Sequence, residues 1–277
     1  MRGVHQLVRI TVLVSAALTA SSAAAQPGAP PPGEPPPPPS AAEVEESMAS
    51  PSIDPGVLED ANSGRTWLSP TALTPPAGTF SFHDHELLLV GASYAPIDRL
   101  VFSLSTMIPL TSDFPLILHG TGKLQLVRSG RVRVAAHATF LHAGIDDGDD
   151  DLSVNAATLG GVVTLCIDLG CHSLLNGYLA AGFALEDVDQ TSVPFTANVA
   201  WVQHLTGILK LVLEVDTAFI LGDINETSDA FLGWYGLRFA SSSIGVDIGF
   251  VKPFCDDCDS DVLPLGLPWL SFSYRSL

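Results

Sequence analysis

A pair of histidines and a pair of closely spaced cysteines are the first residues of this chain whose types and spacing could carry chemistry. His83-Asp84-His85 could serve a metal ion or acid–base catalysis. We place it in a loop between the first two predicted strands, where a plain surface loop is the simpler interpretation. Cys255-Asp256-Asp257-Cys258 has the spacing of a redox or zinc pair. Because no second CxxC completes four zinc ligands, a small disulfide ring is the simpler prediction.

The other two cysteines, Cys166 and Cys171, flank four residues that we predict to form a hairpin turn. Across such a turn the two Cβ atoms can come within disulfide distance. Disulfides persist in the compartments that exported proteins reach, and the chain begins with an export signal, described below. We therefore expect a disulfide between Cys166 and Cys171, and a second one between Cys255 and Cys258.

Acidic residues are concentrated in four segments that we predict to be loops at one mouth of the protein. The densest of these segments is 146–151. Carboxylate oxygens are the ligands that Ca²⁺ prefers, so this segment is a candidate Ca²⁺ site. The candidate ligands are Asp146, Asp147, Asp149, Asp150 and Asp151. The spacing is not that of an EF-hand, and solvation of the surface is the simpler role. No other cofactor is expected.

The motifs of several enzyme classes are missing from the sequence. It has no G-x-S-x-G elbow and no pattern that joins a serine, a histidine and an acid. It also lacks a phosphate-binding loop and a dinucleotide fingerprint. We therefore expect that the protein is not an enzyme, although barrel hydrolases exist and a triad can be distant in sequence.

The composition limits the class of protein. Of 277 residues, 47% are hydrophobic and only 15% are charged, against about 25% in soluble domains. After the N-terminus no run of about 18 apolar residues is long enough for a transmembrane helix, so a closed barrel is the remaining membrane fold. The formal net charge of −18 argues against nucleic acid as a partner, because phosphate contacts need clustered Lys and Arg.

The elements that position these residues are predicted strands, because apolar and polar side chains alternate with period two from about residue 74. In segment 209–221, Lys210, Glu214 and Asp216 fall on one face and the leucines on the other. We predict about twelve strands, with ten as the alternative. Their ranges are 78–83, 86–95, 99–109, 115–127, 131–143, 153–165, 172–185, 194–204, 208–221, 230–240, 243–252 and 265–275.

The connections between these strands alternate between short turns and longer, more acidic loops. Short turns are predicted at 95–98, 128–130, 166–171, 205–207 and 240–243. Longer loops are predicted at 111–114, 145–152, 186–193, 222–229 and 253–264. This alternation is the arrangement of bacterial outer-membrane barrels, whose short turns lie on the periplasmic side.

The N-terminal quarter has a different composition. Residues 1–25 have basic residues, an apolar stretch over 10–20 and small residues before position 26, which predicts a secretory signal peptide. Residues 26–73 are first rich in proline and then acidic, so we expect a periplasmic leader that is largely disordered. Residues 74–277 are the predicted barrel.

Residues 75–277 resemble the broad class of outer-membrane, porin-like β-barrels. The resemblance depends on the alternating strands, the alternating loops, the signal peptide and the aromatic last strand Trp269-Leu270-Ser271-Phe272-Ser273-Tyr274-Arg275. It implies an all-β, transmembrane, antiparallel up-and-down barrel in the outer membrane of a Gram-negative bacterium. It also implies contact with outer-membrane lipid and with the barrel-assembly machinery.

The polar strand face carries charged residues that must face the lumen or a rim, because a charge facing lipid costs about 2–4 kcal/mol at the membrane midplane. We expect these side chains to line a small-solute pore with a mixed, net basic lumen. The alternative is a non-conducting structural barrel, or an adhesion barrel that acts through its acidic loops. The candidate pore-lining residues are Lys123, Arg133, His137, Lys210, Glu214, Asp216, Arg238 and Asp247.

Overall fold

The protein is a closed antiparallel barrel of twelve strands, shown here by a computed structural model that describes residues 53–86, 89–108, 116–146, 151–185, 193–221, 231–254 and 264–276. Each strand pairs with its neighbours in sequence, and β1 pairs with β12. The strands are β1 Phe80–His85, β2 Leu89–Ile97, β3 Leu100–Met107, β4 Leu116–Ser129, β5 Val132–Asp146, β6 Asp151–Cys166, β7 Leu174–Ala184, β8 Val193–Thr206, β9 Leu209–Leu221, β10 Phe231–Ala240, β11 Ile244–Phe254 and β12 Leu267–Ser276. The predicted fold class is confirmed, with twelve strands rather than ten.

The alternation along each strand separates an apolar outer face from a polar lumen. On β12, Leu270, Phe272 and Tyr274 are exposed, whereas Ser271 and Ser273 between them are buried. The same two-sided pattern occurs on β9, where Val215 is exposed and Glu214 and Asp216 are buried. A transmembrane barrel needs this arrangement, because lipid covers its outer face and its backbone hydrogen bonds are closed around the ring.

Short turns join the strands at one end of the barrel, as expected. They include Asp98-Arg99, Gly130-Arg131 and Gly207-Ile208. Gly130 and Gly207 have φ angles of +51° and +50°, which glycine adopts without a Cβ penalty. One prediction at the other end is wrong: His83 and His85 do not lie in a loop, because β1 extends to His85.

The turn between β6 and β7 is closed by a disulfide between Cys166 and Cys171, with 4.6 Å between their Cα atoms. The Asp168 carboxylate accepts hydrogen bonds from the backbone amides of His172, at 3.0 Å, and Ser173, at 2.7 Å. Partial burial raises the pKa of Asp168, but these hydrogen bonds outweigh burial and hold it below its ordinary value. The disulfide and these hydrogen bonds therefore fix the conformation of the β6–β7 turn at the short-turn end.

A segment of the expected leader is ordered inside the barrel, contrary to our prediction of disorder up to residue 73. This luminal segment, 54–79, begins with the one-turn helix α1, Pro55–Glu59, and ends where β1 begins. Trp67 and Leu73 are each only 1% exposed. Apolar burial and buried hydrogen bonds therefore order a stretch whose composition predicts little structure. Within the described residues, no helix is long and apolar enough to span a membrane.

Candidate functional site

The luminal segment enters at the short-turn end, reaches into the lumen and returns. Near its start, the Gly56 amide donates to the carbonyl of Gly170 in the β6–β7 turn, at 2.7 Å. Around its tip, Arg65 and Pro70 form an antiparallel bridge. On the way back, the amide of Ala72 donates to the hydroxyl of Thr164 on β6. The segment therefore contacts the barrel both near its start and on its return.

Two carboxylates of the luminal segment are bound by cations of the barrel wall. Arg133 on β5 donates from Nε and Nη2 to the two oxygens of Asp54, at 3.0 and 2.7 Å. Lys210 on β9 donates to Asp60 at 2.7 Å, and both side chains are nearly completely buried. Burial alone would raise the pKa of Asp60, but Lys210 and Arg238 outweigh it and hold that pKa below its ordinary value. Asp60 is therefore an ionised partner of the wall at neutral pH.

Other cations of the wall bind backbone carbonyls of the luminal segment. Lys123 Nζ donates to the carbonyls of Gly64, Thr71 and Leu73, at 2.9, 2.9 and 2.6 Å. Arg238 donates to three further carbonyls while it pairs with Asp247 at 2.7 Å. These donors fix the path of the segment, because its carbonyls would otherwise be buried without partners.

The acids of the wall bind the tip of the segment. Glu214 on β9 accepts hydrogen bonds from the backbone amides of Trp67, at 2.5 Å, and Ser69, at 3.2 Å. Asp216 accepts from the Ser69 hydroxyl at 3.3 Å and from Asn198 Nδ2 at 2.6 Å. The Trp67 indole also donates to the carbonyl of Val212 at 3.2 Å. Hydrogen bonds to two acidic side chains, and one from the Trp67 indole, therefore bind the tip to β9.

All eight residues that the sequence nominates as pore-lining lie buried in the lumen. Seven of them hydrogen-bond to the luminal segment: Lys123, Arg133, Lys210, Glu214, Asp216, Arg238 and Asp247. The eighth, His137, faces Tyr178 with 3.4 Å between Nδ1 and the hydroxyl oxygen. Sequence reasoning missed Asp54, Asp60 and Trp67. The predicted lumen face carries more cations than acids. This excess is the signal in the sequence that some of those cations pair with acids outside the strands.

A cavity of about 530 Å³ remains in the lumen beside the luminal segment; we call it the side chamber. Polar residues of β1–β5 form much of its wall, and Arg65 and Ser69 of the luminal segment line it too. Successive partners in the strand register form one row of hydroxyls across β1–β5. This row consists of Ser81, Ser93, Ser103, Thr121 and Thr139. Such a wall offers donors and acceptors to a small polar molecule.

Three histidines on β1 and β4 lie next to this hydroxyl row. His83, His85 and His119 all line the side chamber. Arg65 Nη1 lies 3.0 Å from Nε2 of His85, and Arg65 Nη2 lies 3.7 Å from a carboxylate oxygen of Asp247. Burial lowers the pKa of Arg65 to about 10, and Asp247 opposes that effect, so Arg65 is charged at neutral pH. Within the described ranges, no group of three or more His, Cys, Asp or Glu residues could hold a metal ion.

Two predicted sites lie largely outside the described residues. Cys255 and Cys258 fall in the gap after β11, so their disulfide stays a prediction. Of the Ca²⁺ candidates, Asp147, Asp149 and Asp150 also fall outside. Asp146 and Asp151 pair through their backbones at the ends of β5 and β6. The Ca²⁺ site therefore stays a prediction too.

Comparison with known proteins gives a structural match. No protein-family model and no curated protein sequence matches this chain. Among solved structures, LpxR from Salmonella typhimurium matches with a TM-score of 0.40 and 12% sequence identity, over 71% of this chain and 99% of that one.

This match corrects one of our expectations. LpxR is an outer-membrane enzyme, which contradicts our expectation that this protein is not an enzyme. A match of this strength transfers neither substrate nor mechanism. The chain has the twelve-stranded fold of outer-membrane barrels, and its chemistry has to be argued from its own residues.

Proposed function

We propose that this protein is a plugged outer-membrane β-barrel of a Gram-negative bacterium, in which the luminal segment acts as a plug that prevents free passage of solutes. The single observation that carries this proposal is that seven of the eight nominated pore-lining residues hydrogen-bond to the plug. An open water-filled pore would need these groups hydrated along a continuous path.

The proposed orientation follows from the turns and from the position of the plug. Short turns lie on the periplasmic side of outer-membrane barrels, and α1 docks at the turn end of this barrel. The leader that precedes the plug would then lie in the periplasm. Lipid would cover the apolar outer face, and the barrel-assembly machinery would insert the chain.

A small-solute pore is a second candidate, which the side chamber supports. Its volume of about 530 Å³ shows that the plug does not fill the lumen completely. Release of the plug would join this space to the rest of the lumen. Lys123, Arg133, Lys210 and Arg238 would then lose their plug partners and line a passage that favours anions.

Single-channel conductance of the refolded mature protein in planar bilayers tests both candidates. We expect wild type to be silent and the double variant Asp54→Asn/Asp60→Asn to show discrete, anion-selective steps, because both ion-pair anchors of the plug are lost. Glu59→Gln is the matched control, since the Glu59 side chain is 65% exposed, and it should stay silent. Steady anion-selective conductance of wild type would contradict the plug and favour the pore.

A further inference from the structure

The strongest unexplained feature of the side chamber is a row of residues across four neighbouring strands. His83 on β1 pairs in register with Gly91 on β2, Gly91 pairs with Ser105 on β3, and Ser105 pairs with His119 on β4. His83, Ser105 and His119 line the side chamber. The barrel thus places Ser105 in one row with two histidines. His119 is its direct neighbour in this row, and Gly91 stands between Ser105 and His83.

Gly91 allows the side chains of β1 and β3 to meet across β2. The hydroxyl of Ser105 lies 3.0 Å from His83 Nε2. A Cβ atom at position 91 would clash with both His83 Nε2 and Ser105 Oγ. Any residue larger than glycine would therefore separate His83 from Ser105. The hydrogen bond between them requires glycine at position 91.

The contact has the geometry of a nucleophile and its base. A neutral imidazole nitrogen within about 2.6–3.2 Å of a serine hydroxyl can accept its proton during attack on a carbonyl. Ser105 is 5% exposed and its hydroxyl faces a cavity of small-molecule size. The neighbouring hydroxyl row suits a substrate that itself carries hydroxyl groups.

We propose that the side chamber is an acyl-transfer site, in which Ser105 attacks short-chain carboxylic esters of small hydroxylated alcohols. Ser105 Oγ forms a bond to the ester carbonyl carbon while its proton passes to His83 Nε2. The carbon–oxygen bond to the alcohol then breaks, and the alcohol leaves with the proton from His83. Water then loses a proton to His83 Nε2 and attacks the carbonyl carbon of the acyl-serine. The bond from that carbon to Ser105 Oγ breaks, Oγ takes the proton back from His83, and the carboxylic acid is released. His119, beside Ser105 in the row, is placed to donate a hydrogen bond to the carbonyl oxygen in its anionic state.

This inference goes beyond the proposed plug and does not depend on it. The plug hypothesis concerns the ion pairs at the short-turn end and is measured by conductance. The acyl-transfer site concerns β1–β4 and is measured by covalent labelling, so either can fail while the other stands. The competing explanation is that the His83–Ser105 hydrogen bond only satisfies two luminal polar groups.

The test uses the full mature protein refolded in detergent micelles. A small alkyl fluorophosphonate serves as the covalent probe, with peptide mass spectrometry to locate the label, and p-nitrophenyl acetate serves as the substrate. A heat-dependent shift in gel mobility confirms that each variant is a folded barrel. We expect label on Ser105 and a burst of p-nitrophenol equal to the amount of folded protein.

Three variants separate catalysis from structure. Ser105→Ala should abolish labelling, and His83→Gln should lower the labelling rate by about a hundredfold or more, the usual contribution of general-base catalysis. Gly91→Ala keeps both groups but separates them, so it should also slow labelling strongly. Ser173→Ala is the matched control, because Ser173 is equally buried and near His204, but lies in the β6–β7 turn. It should label like wild type.

Two results would overturn the proposal. The first is folded wild-type protein that carries no label on Ser105 above the level of heat-unfolded protein. The second is Ser105 labelling at the same rate in wild type and in folded His83→Gln. Either would leave the pair as a structural hydrogen bond.

Discussion

Lys210 of β9 and Asp60 of the plug meet at 2.7 Å inside the barrel, with their side chains 6% and 2% exposed. Arg238 lies 3.8 Å from the same carboxylate. This carboxylate from outside the strands is therefore the ion-pair partner of Lys210, and it also lies close to Arg238, which pairs with Asp247 at 2.7 Å. When one partner of a buried ion pair is removed, the remaining charge is left uncompensated, which costs about 3–5 kcal/mol.

Replacing Asp60 by asparagine should therefore weaken plug docking by about that amount. Trypsin gives a direct measurement, because Arg65 is the first Lys or Arg after Arg9, so it is the first cleavage site of the predicted mature chain. Cleavage follows the population of the open form, so its rate at Arg65 should rise at least about a hundredfold in Asp60→Asn. In Glu59→Gln, whose side chain pairs with His172 near the surface, the rate should change by less than about fivefold. Equal rates in the two variants would show that Asp60 does not anchor the plug.

Acid should release the plug through the same carboxylate. Lys210 and Arg238 hold the pKa of Asp60 below its ordinary value, against the opposing effect of burial. A carboxylate with a depressed pKa in the folded state stabilises that state fully above its unfolded value of about 3.9, and the contribution is lost as pH falls through the folded value. Conductance in planar bilayers measures this release without a protease. It should therefore be constant from about pH 8 to 5 and rise below about pH 4.

The Asp60→Asn variant is the control for this pH dependence. Its side-chain amide at residue 60 cannot gain a proton in acid, so the acid-induced increase assigned to that residue should be absent, and the variant should conduct more than wild type at neutral pH. Release of the wild-type plug already near pH 6 would point to a histidine rather than to Asp60.

The plug tip gives a prediction about packing. Trp67 is 1% exposed, and its indole donates to the Val212 carbonyl, whereas its neighbour Leu68 is 44% exposed. Trp67→Ala should lower the free energy of unfolding by about 3–5 kcal/mol, because it leaves a large cavity in the lumen and removes the indole hydrogen bond. Leu68→Ala should change it by less than about 0.5 kcal/mol. Equilibrium denaturation in micelles measures both, and similar effects of the two variants would contradict the packing described for Trp67.

The strands were predictable because lipid and water impose opposite preferences on alternate residues. In β9, Lys210, Glu214 and Asp216 point one way and Val215 the other, and period two alone identifies both faces. The end of β1 was not predictable in the same way. His83-Asp84-His85 is polar on both faces, so its sequence resembles a loop although the structure pairs it with β2 and β12.

The plug was missed because it has no periodic pattern and its order depends on distant partners. The carbonyls of Gly64, Thr71 and Leu73 are ordered by Lys123, about 50 to 60 residues away in sequence. The polar lumen residues were identified correctly as inward-facing, but their partners were not. Likewise, no sequence spacing links His83 to Ser105, because strand register alone brings them into one row.

The docking of α1 gives the last prediction, which concerns a close approach of two backbones. The Gly56 amide donates to Gly170, and a Cβ atom at position 56 would clash with the backbone of Gly170 and Cys171. Because the disulfide between Cys166 and Cys171 closes this turn, the turn cannot easily move aside. Gly56→Ala should therefore weaken plug docking by about 1–3 kcal/mol and raise the rate of trypsin cleavage at Arg65 by about five- to a hundredfold. Gly64→Ala is the matched control within the plug, because its Cβ would meet Lys123 Nζ at an ordinary 3.5 Å, and its cleavage rate should stay close to that of wild type. If Gly56→Ala were cleaved as slowly as Gly64→Ala, then α1 would not be held against the disulfide-closed turn.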